Sequence, residues 1–207
     1  MKNSLLLAIT VLIAAVIPAV ADNGKTWNFD HDKAGVIGGG IFNATGRWTV
    51  QANATAPSKP NILAQLAKNS PETFNLALVV GSSYQNLDLS VKMRAIGGTT
   101  DQGGGVVWRA KDSRNYYVVR YSPLEGNLRL HKVVNNSQVE LANVDIMITP
   151  GWHTLRVIMT DDRIICYFDG TKYFDRKDAT YRQAGQIGLW TRADAQTYFD
   201  DLTVKGH

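Results

Sequence analysis

The sequence is poor in several things at once. It has a single cysteine, Cys166, in 207 residues. One thiol excludes an intrachain disulfide and any cysteine-based zinc cluster. Glutamate is scarce, with only Glu72, Glu125 and Glu140. Ordinary glycoside hydrolysis needs two carboxyls flanking the bond, about 5 Å apart for retention or about 6.5–9.5 Å for inversion. No E-x-D-x-E pattern supplies such a pair on one strand, although aspartates from different strands could. There is also no G-x-S-x-G, H-E-x-x-H, Walker-type loop or G-x-G-x-x-G. Excess charge of one sign is missing too. The net charge is +4, which argues against a strongly basic nucleic-acid binder and against an acidic disordered tail.

The one long apolar run lies at the start, from Leu5 to Ile17. It follows Lys2 and ends in Pro18 and Ala19-Val20-Ala21, a small-x-small cleavage pattern. This is the build of a secretory signal peptide, cut after Ala21. The run is shorter than the roughly 20 apolar residues a membrane anchor needs. No cysteine follows it to carry an acyl chain. The expected product is one secreted or periplasmic domain, 22–207, with no membrane anchor.

What remains reads as all-β. Leu87, Leu89, Val91 and Met93 alternate with polar residues. Tyr117, Val119 and Tyr121 alternate with Tyr116, Val118 and Arg120. Leu128 with Leu130, and Ile187 with Leu189, continue the pattern. Period-two alternation marks strands with one buried side. Further strands are expected near 26–30, 47–51, 62–66, 74–80, 104–110, 138–143, 152–160, 163–168, 171–174 and 196–204. The segment 61–68 is read as strand rather than helical turn. Asp169-Gly170 is a hairpin signal. About fourteen short strands at such spacing mean a sandwich or barrel. Cys166 shares parity with Ile164 and Phe168, which places it in the core as an inert thiol.

Three blocks carry a family resemblance. They are Gly104-Gly105-Val106-Val107-Trp108-Arg109-Ala110-Lys111-Asp112, Asn115-Tyr116-Tyr117-Val118-Val119-Arg120-Tyr121, and Gly188-Leu189-Trp190-Thr191-Arg192-Ala193-Asp194 running into Tyr198-Phe199-Asp200-Asp201-Leu202. Gly151-Trp152-His153-Thr154-Leu155-Arg156 and Phe168-Asp169-Gly170 lie between them in order. Together these resemble bacterial concanavalin A-like (laminin G-like) jelly-roll domains, closest to the secreted domain associated with 3-keto-disaccharide hydrolases. The resemblance implies a two-sheet antiparallel β-sandwich with ligands on the concave sheet or its rim. The superfamily hosts lectins, glucanases and adhesion modules, so activity does not follow from fold.

Strand parity sorts the candidate ligand residues. If the alternating apolar residues face the core, then Arg109, Tyr116, Arg120, Arg129, His131, Trp190 and Arg192 face outward. This mixes aromatic plates with planar hydrogen-bond donors, the mixture that sugar recognition uses. Arg on an exposed strand face is also an ordinary solubilising residue, and a one-residue bulge would invert the set. His131 is the candidate general base. A catalyst would bring Asp194 or Asp112 near His131 and Arg109. Asp30 and Asp200 form a second constellation. Asp200 shares parity with Leu202 and Val204, and an inward carboxylate needs a partner. The resemblance implies a structural calcium where first and last strands meet, which Asp30 and Asp200 would ligate; an Asp-capped turn or salt bridge is the alternative.

The leading expectation is therefore a carbohydrate-binding module, non-catalytic or accessory to sugar degradation. The alternatives are a glycoside or 3-keto-disaccharide hydrolase or lyase, and a structural or adhesion module. On the first expectation, Trp190→Ala abolishes sugar binding and leaves the fold intact.

Overall fold

The computed structural model describes residues 24–207. The expected leader, 1–21, lies outside the described residues. In chain order the strands are β1 (Lys25–Trp27), β2 (Ile41–Thr45), β3 (Trp48–Ala52), β4 (Asn61–Gln65) and β5 (Phe74–Val79). Then come β6 (Leu87–Gly97), β7 (Gly104–Asp112), β8 (Asn115–Ser122), β9 (Asn127–Val134) and β10 (Ser137–Asp145). The last five are β11 (His153–Thr160), β12 (Arg163–Phe168), β13 (Thr171–Lys177), β14 (Gln186–Arg192) and β15 (Gln196–Gly206). The segment read as strand near 61–68 is β4. The strand that alternation missed is β2, an edge strand with a register shift between Asn43 and Thr45. The shift breaks period two within five residues, so too little pattern remains to read.

The strands form two antiparallel sheets. One has eight strands in the order β13-β12-β11-β6-β15-β4-β3, with β1 paired to β15. The other has seven in the order β10-β9-β8-β7-β14-β5-β2. Their inner faces meet over the core. Leu87, Leu89, Val91 and Met93 of β6 enter it, facing Val119 and Tyr121 of β8, Leu128 and Leu130 of β9 and Leu189 of β14. Cys166 is fully buried among them, and burial pushes its thiol far above its ordinary range. Trp108 stacks on Tyr117, ring centres 5.5 Å apart. This is the two-sheet β-sandwich that the alternation and the resemblance point to.

The seven-stranded sheet buries residues on its other face as well. Leu76, Leu78, Val107, Tyr116, Val118, Val133 and Trp190 form a second apolar cluster there.

Candidate functional site

The outer face of the seven-stranded sheet carries six of the seven residues that parity assigned to it. Tyr116 and Arg120 come from β8, Arg129 and His131 from β9, and Trp190 and Arg192 from β14. Arg120 and Arg129 stand directly opposite in register, as do Val118 and His131. Two like charges facing across an antiparallel pair repel. Glu125, in the turn between β8 and β9, relieves this. One of its carboxylate oxygens, Oε2, accepts from Arg120 Nη2 at 2.8 Å, pairs with Arg129 Nη2 at 3.0 Å and accepts from Asn127 Nδ2 at 3.2 Å. Burial pushes the Glu125 carboxyl up, but its Arg120, Asn127 and Arg129 neighbours outweigh that and hold it below its ordinary range.

The face is short of partners for its polar atoms. Arg120 Nη1, Arg129 Nε, His131 Nδ1, Asn127 Oδ1 and Gln138 Nε2 are buried and have no hydrogen-bond partner in the protein. Arg120 and His131 are themselves only 3% and 5% exposed. Arg129 Nε has Glu140 Oε2 at 3.9 Å, an ion-pair distance without a hydrogen bond. Buried polar groups are nearly always paired, so five orphans on and beside one sheet face need an explanation, and a ligand is one. Burial pushes the His131 imidazole down to about 4, helped by the charges of Arg120 and Arg129 and opposed by Glu125. It is therefore neutral at pH 7. Asp101 lies at the same end; burial raises its carboxyl, opposed most strongly by Arg120.

Between the charged and the aromatic side chains the floor is bare backbone. Gly105 stands between Arg120 and Trp190 in register. A Cβ there would collide with the Val119 carbonyl oxygen and with Arg120 Cα. The glycine run at 103–105 is thus where β7 approaches the β8 backbone closely.

The aromatic residues are packed, not laid bare. Trp190 is 1% exposed. Its Nε1 donates to Tyr116 Oη at 3.2 Å, and its ring lies 5.6 Å from that of Phe74. Removing it leaves a cavity, so Trp190→Ala would cost about 3–5 kcal/mol rather than leaving the fold untouched. Arg192 sits at the rim, its Nε donating to the Pro71 carbonyl at 2.8 Å.

Arg109 does not join this face, which corrects the parity assignment. It lies at a bulge between Trp108 and Asp112, with a left-handed φ of 46°. The bulge turns its side chain to the end of the sandwich, where it is 1% exposed. Its guanidinium donates to the carbonyls of Gln85 (2.7 Å), Tyr181 (2.6 Å) and Asp161 (2.8 Å) and to Asn86 Oδ1 at 3.4 Å. It staples three loops.

The catalytic carboxylates considered above are also committed elsewhere. Asp112 accepts from Arg114 N and Asn115 Nδ2 within a turn. Asp194 accepts from the backbone of Thr99, Thr100 and Asp101, which outweighs burial and holds its carboxyl far below its ordinary range.

Asp30 and Asp200 engage N–H and O–H donors. Asp200 accepts from Ser58 N (2.9 Å), Ser58 Oγ (2.9 Å) and Asp201 N (2.7 Å), and burial pushes its carboxyl up to about 6. Asp30 accepts from Asn61 N at 3.1 Å. Among the described residues no three His, Cys, Asp or Glu side chains gather as a cation cage. The Asp200 carboxylate meets N–H and O–H hydrogens where a calcium ion would need its oxygen lone pairs.

Sequence reasoning missed Glu125, Asp101, Asn127 and Gln138. The first lies in a turn and the second in the loop between β6 and β7, where alternation says nothing. Gln138 lies on edge strand β10, whose register shifts between Glu140 and Ala142.

Residues 38–205 match the 3-keto-alpha-glucoside-1,2-lyase-like domain, and the chain belongs to that family. Among solved structures it resembles the carbohydrate-binding module CBM66 from Bacillus subtilis, with a TM-score of 0.69 at 18% identity, covering 84% of this chain and 99% of that one. It also resembles a mutant of the GH43 protein BlXynB from Bacillus licheniformis, with a TM-score of 0.62 at 14% identity, covering 87% of this chain but 39% of that one. A third is the protein of unknown function SO2946 from Shewanella oneidensis, with a TM-score of 0.61 at 13% identity, covering 94% and 89%. At these identities the likeness establishes the fold. Among curated proteins none matches.

Proposed function

We propose that the protein binds a saccharide on the outer face of the seven-stranded sheet, at the polar end built by Arg120, Arg129 and His131. The observation that carries this is the group of unpartnered buried polar atoms around Arg120, Arg129 and His131. Sugar hydroxyls both donate and accept, so one ring can satisfy guanidinium N–H groups and the Asn127 oxygen together. Membership of a glucoside-acting family and the CBM66 likeness support the reading. In this reading the leader sends the protein to the periplasm or the medium, where its ligand is found.

A second reading is favoured by one observation, a histidine kept neutral beside two arginines. A neutral imidazole can take a proton from the carbon next to a ketone. In a 3-keto-glucoside that proton is on C2. Its electron pair forms the C1–C2 double bond, the C1–O bond breaks, and the departing oxygen leaves as an alcohol after gaining a proton.

One incubation separates the two. The purified protein, expressed with its own leader, is mixed with disaccharides, polysaccharides and 3-keto-glucosides. Binding and products are both followed. Binding without products, weakened at least roughly tenfold by Arg129→Met, is the expected result. Products lost in His131→Ala would establish the elimination. Neither binding nor products would overturn both and favour an adhesion module.

A further inference from the structure

Three segments meet at one end of the sandwich: 95–100, where β6 ends, 122–124, where β8 turns towards β9, and 146–152, which leads into β11. They read Ala-Ile-Gly-Gly-Thr-Thr, Ser-Pro-Leu and Ile-Met-Ile-Thr-Pro-Gly-Trp, sixteen residues without one charge in a chain that is 19% charged. Ile146 N donates to the Gly126 carbonyl at 2.9 Å, which ties the third segment to the turn that holds the second. Among the described residues eight large apolar side chains are exposed, and four of them are here: Met147 (85%), Leu124 (48%), Ile148 (39%) and Ile96 (38%). Exposed apolar groups scattered singly need no explanation, but a gathered set marks a surface that something covers.

The same end holds a cavity of about 270 Å³, walled by Ala95, Pro123, Ile148 and Pro150, with Tyr121 and His153 also lining it. An apolar cavity of ~150 Å³ already admits a benzene ring. Each segment gives the cavity a wall residue and sets an exposed aliphatic beside it in the chain: Ala95 with Ile96, Pro123 with Leu124, Ile148 with Met147. A projecting side chain next to a hole makes a surface complementary to itself. A two-fold axis between the two puts the projection of each copy into the hole of the other. Methionine suits the part, because its flexible thioether fills irregular gaps and is attracted to aromatic rings such as that of Tyr121. Two copies meeting face to face bring like charges together wherever charge exists, and these three segments carry none. Glu125, next after Leu124, is held by Arg120 and Arg129. A lipid surface fits less well. Loops that bind one carry Lys and Arg for the acidic headgroups, and a flat bilayer would leave the hole unfilled.

We propose that this end of the sandwich pairs two copies of the chain about a two-fold axis, with Met147 of each seated in the cavity that Pro123, Ile148 and Pro150 wall in the other. The inference stands apart from the saccharide reading, which rests on the outer sheet face. Sixteen residues a side fall short of the roughly 20–30 of a standard interface, so the pair is weak, with a dissociation constant of roughly 1–100 μM. Sedimentation velocity of the purified protein, expressed with its own leader, is run across that range. Monomer at the lowest concentration giving way to dimer at the highest is the expected result. Met147→Asp, at an exposed site where folding is not at stake, raises the dissociation constant roughly tenfold or more and leaves thermal melting unchanged. Phe42→Asp, at the 57% exposed phenylalanine of edge strand β2, leaves the pairing as it was. Monomer at every concentration overturns the proposal. So does a dimer that Met147→Asp leaves intact, a dimer that Phe42→Asp breaks, or growth beyond the dimer. Pelleting of the monomer with phosphatidylcholine or phosphatidylglycerol vesicles, lost in Met147→Asp, would overturn it in favour of a lipid surface.

Discussion

At the residue scale, two side chains answer to pH and to substitution in opposite ways. His131 has a folded-state value of about 4 against an ordinary 6.5. Between these values the unfolded chain binds a proton that the folded chain refuses. Stability from this group is therefore complete above pH 6.5 and falls as pH drops towards 4. Urea melts at pH 7, 5.5 and 4.5 should show the loss, and His131→Gln should remove that part of the slope. Arg109 instead acts as a staple whose charge never changes. Arg109→Lys keeps the charge but loses the planar fork, leaving buried carbonyls unpaired. A cost of about 2–4 kcal/mol is expected, with the outer face of the seven-stranded sheet intact in any variant that still folds. A denaturant titration alongside a binding assay checks both halves of that statement.

At the element scale, the approach of β7 to β8 is the tightest constraint on the face. Gly105→Ala puts a methyl against the Val119 carbonyl, so the pair must separate under Arg120. Thermal melting should fall by the equivalent of roughly 2–3 kcal/mol. Strands were the legible part of this molecule. Alternation in β6, β8, β9 and β14 is long and unbroken, and it sorted Tyr116, Arg120, Arg129, His131, Trp190 and Arg192 onto one face. Bulges erased the signal elsewhere. One hid β2, and another turned Arg109 from the sheet face to the end of the sandwich. Glu125 and Asp101 were invisible because turn and loop residues carry no period. The packing of Trp190 against Phe74 and Tyr116 was equally out of reach, since parity gives a direction and not what lies alongside.

At the scale of the whole molecule, connectivity decides how the parts depend on each other. β15 is the last strand in sequence, yet it lies between β6 and β4 inside the eight-stranded sheet, with β1 also paired to it. Lys25 stands opposite Val204, and Thr197 opposite Gln65. Removing β15 would open that sheet in its middle rather than trim its edge. A chain ending at Thr191 should therefore lack the cooperative melting transition of the full chain, which circular dichroism would show at once.

The same placement sets a clock on synthesis. A ribosome delivers residues in order, and β4 and β6 are made long before the strand that joins them. Their sheet has no means of closing until β15 itself has been made. That delay leaves the polypeptide threadable up to the moment β15 arrives.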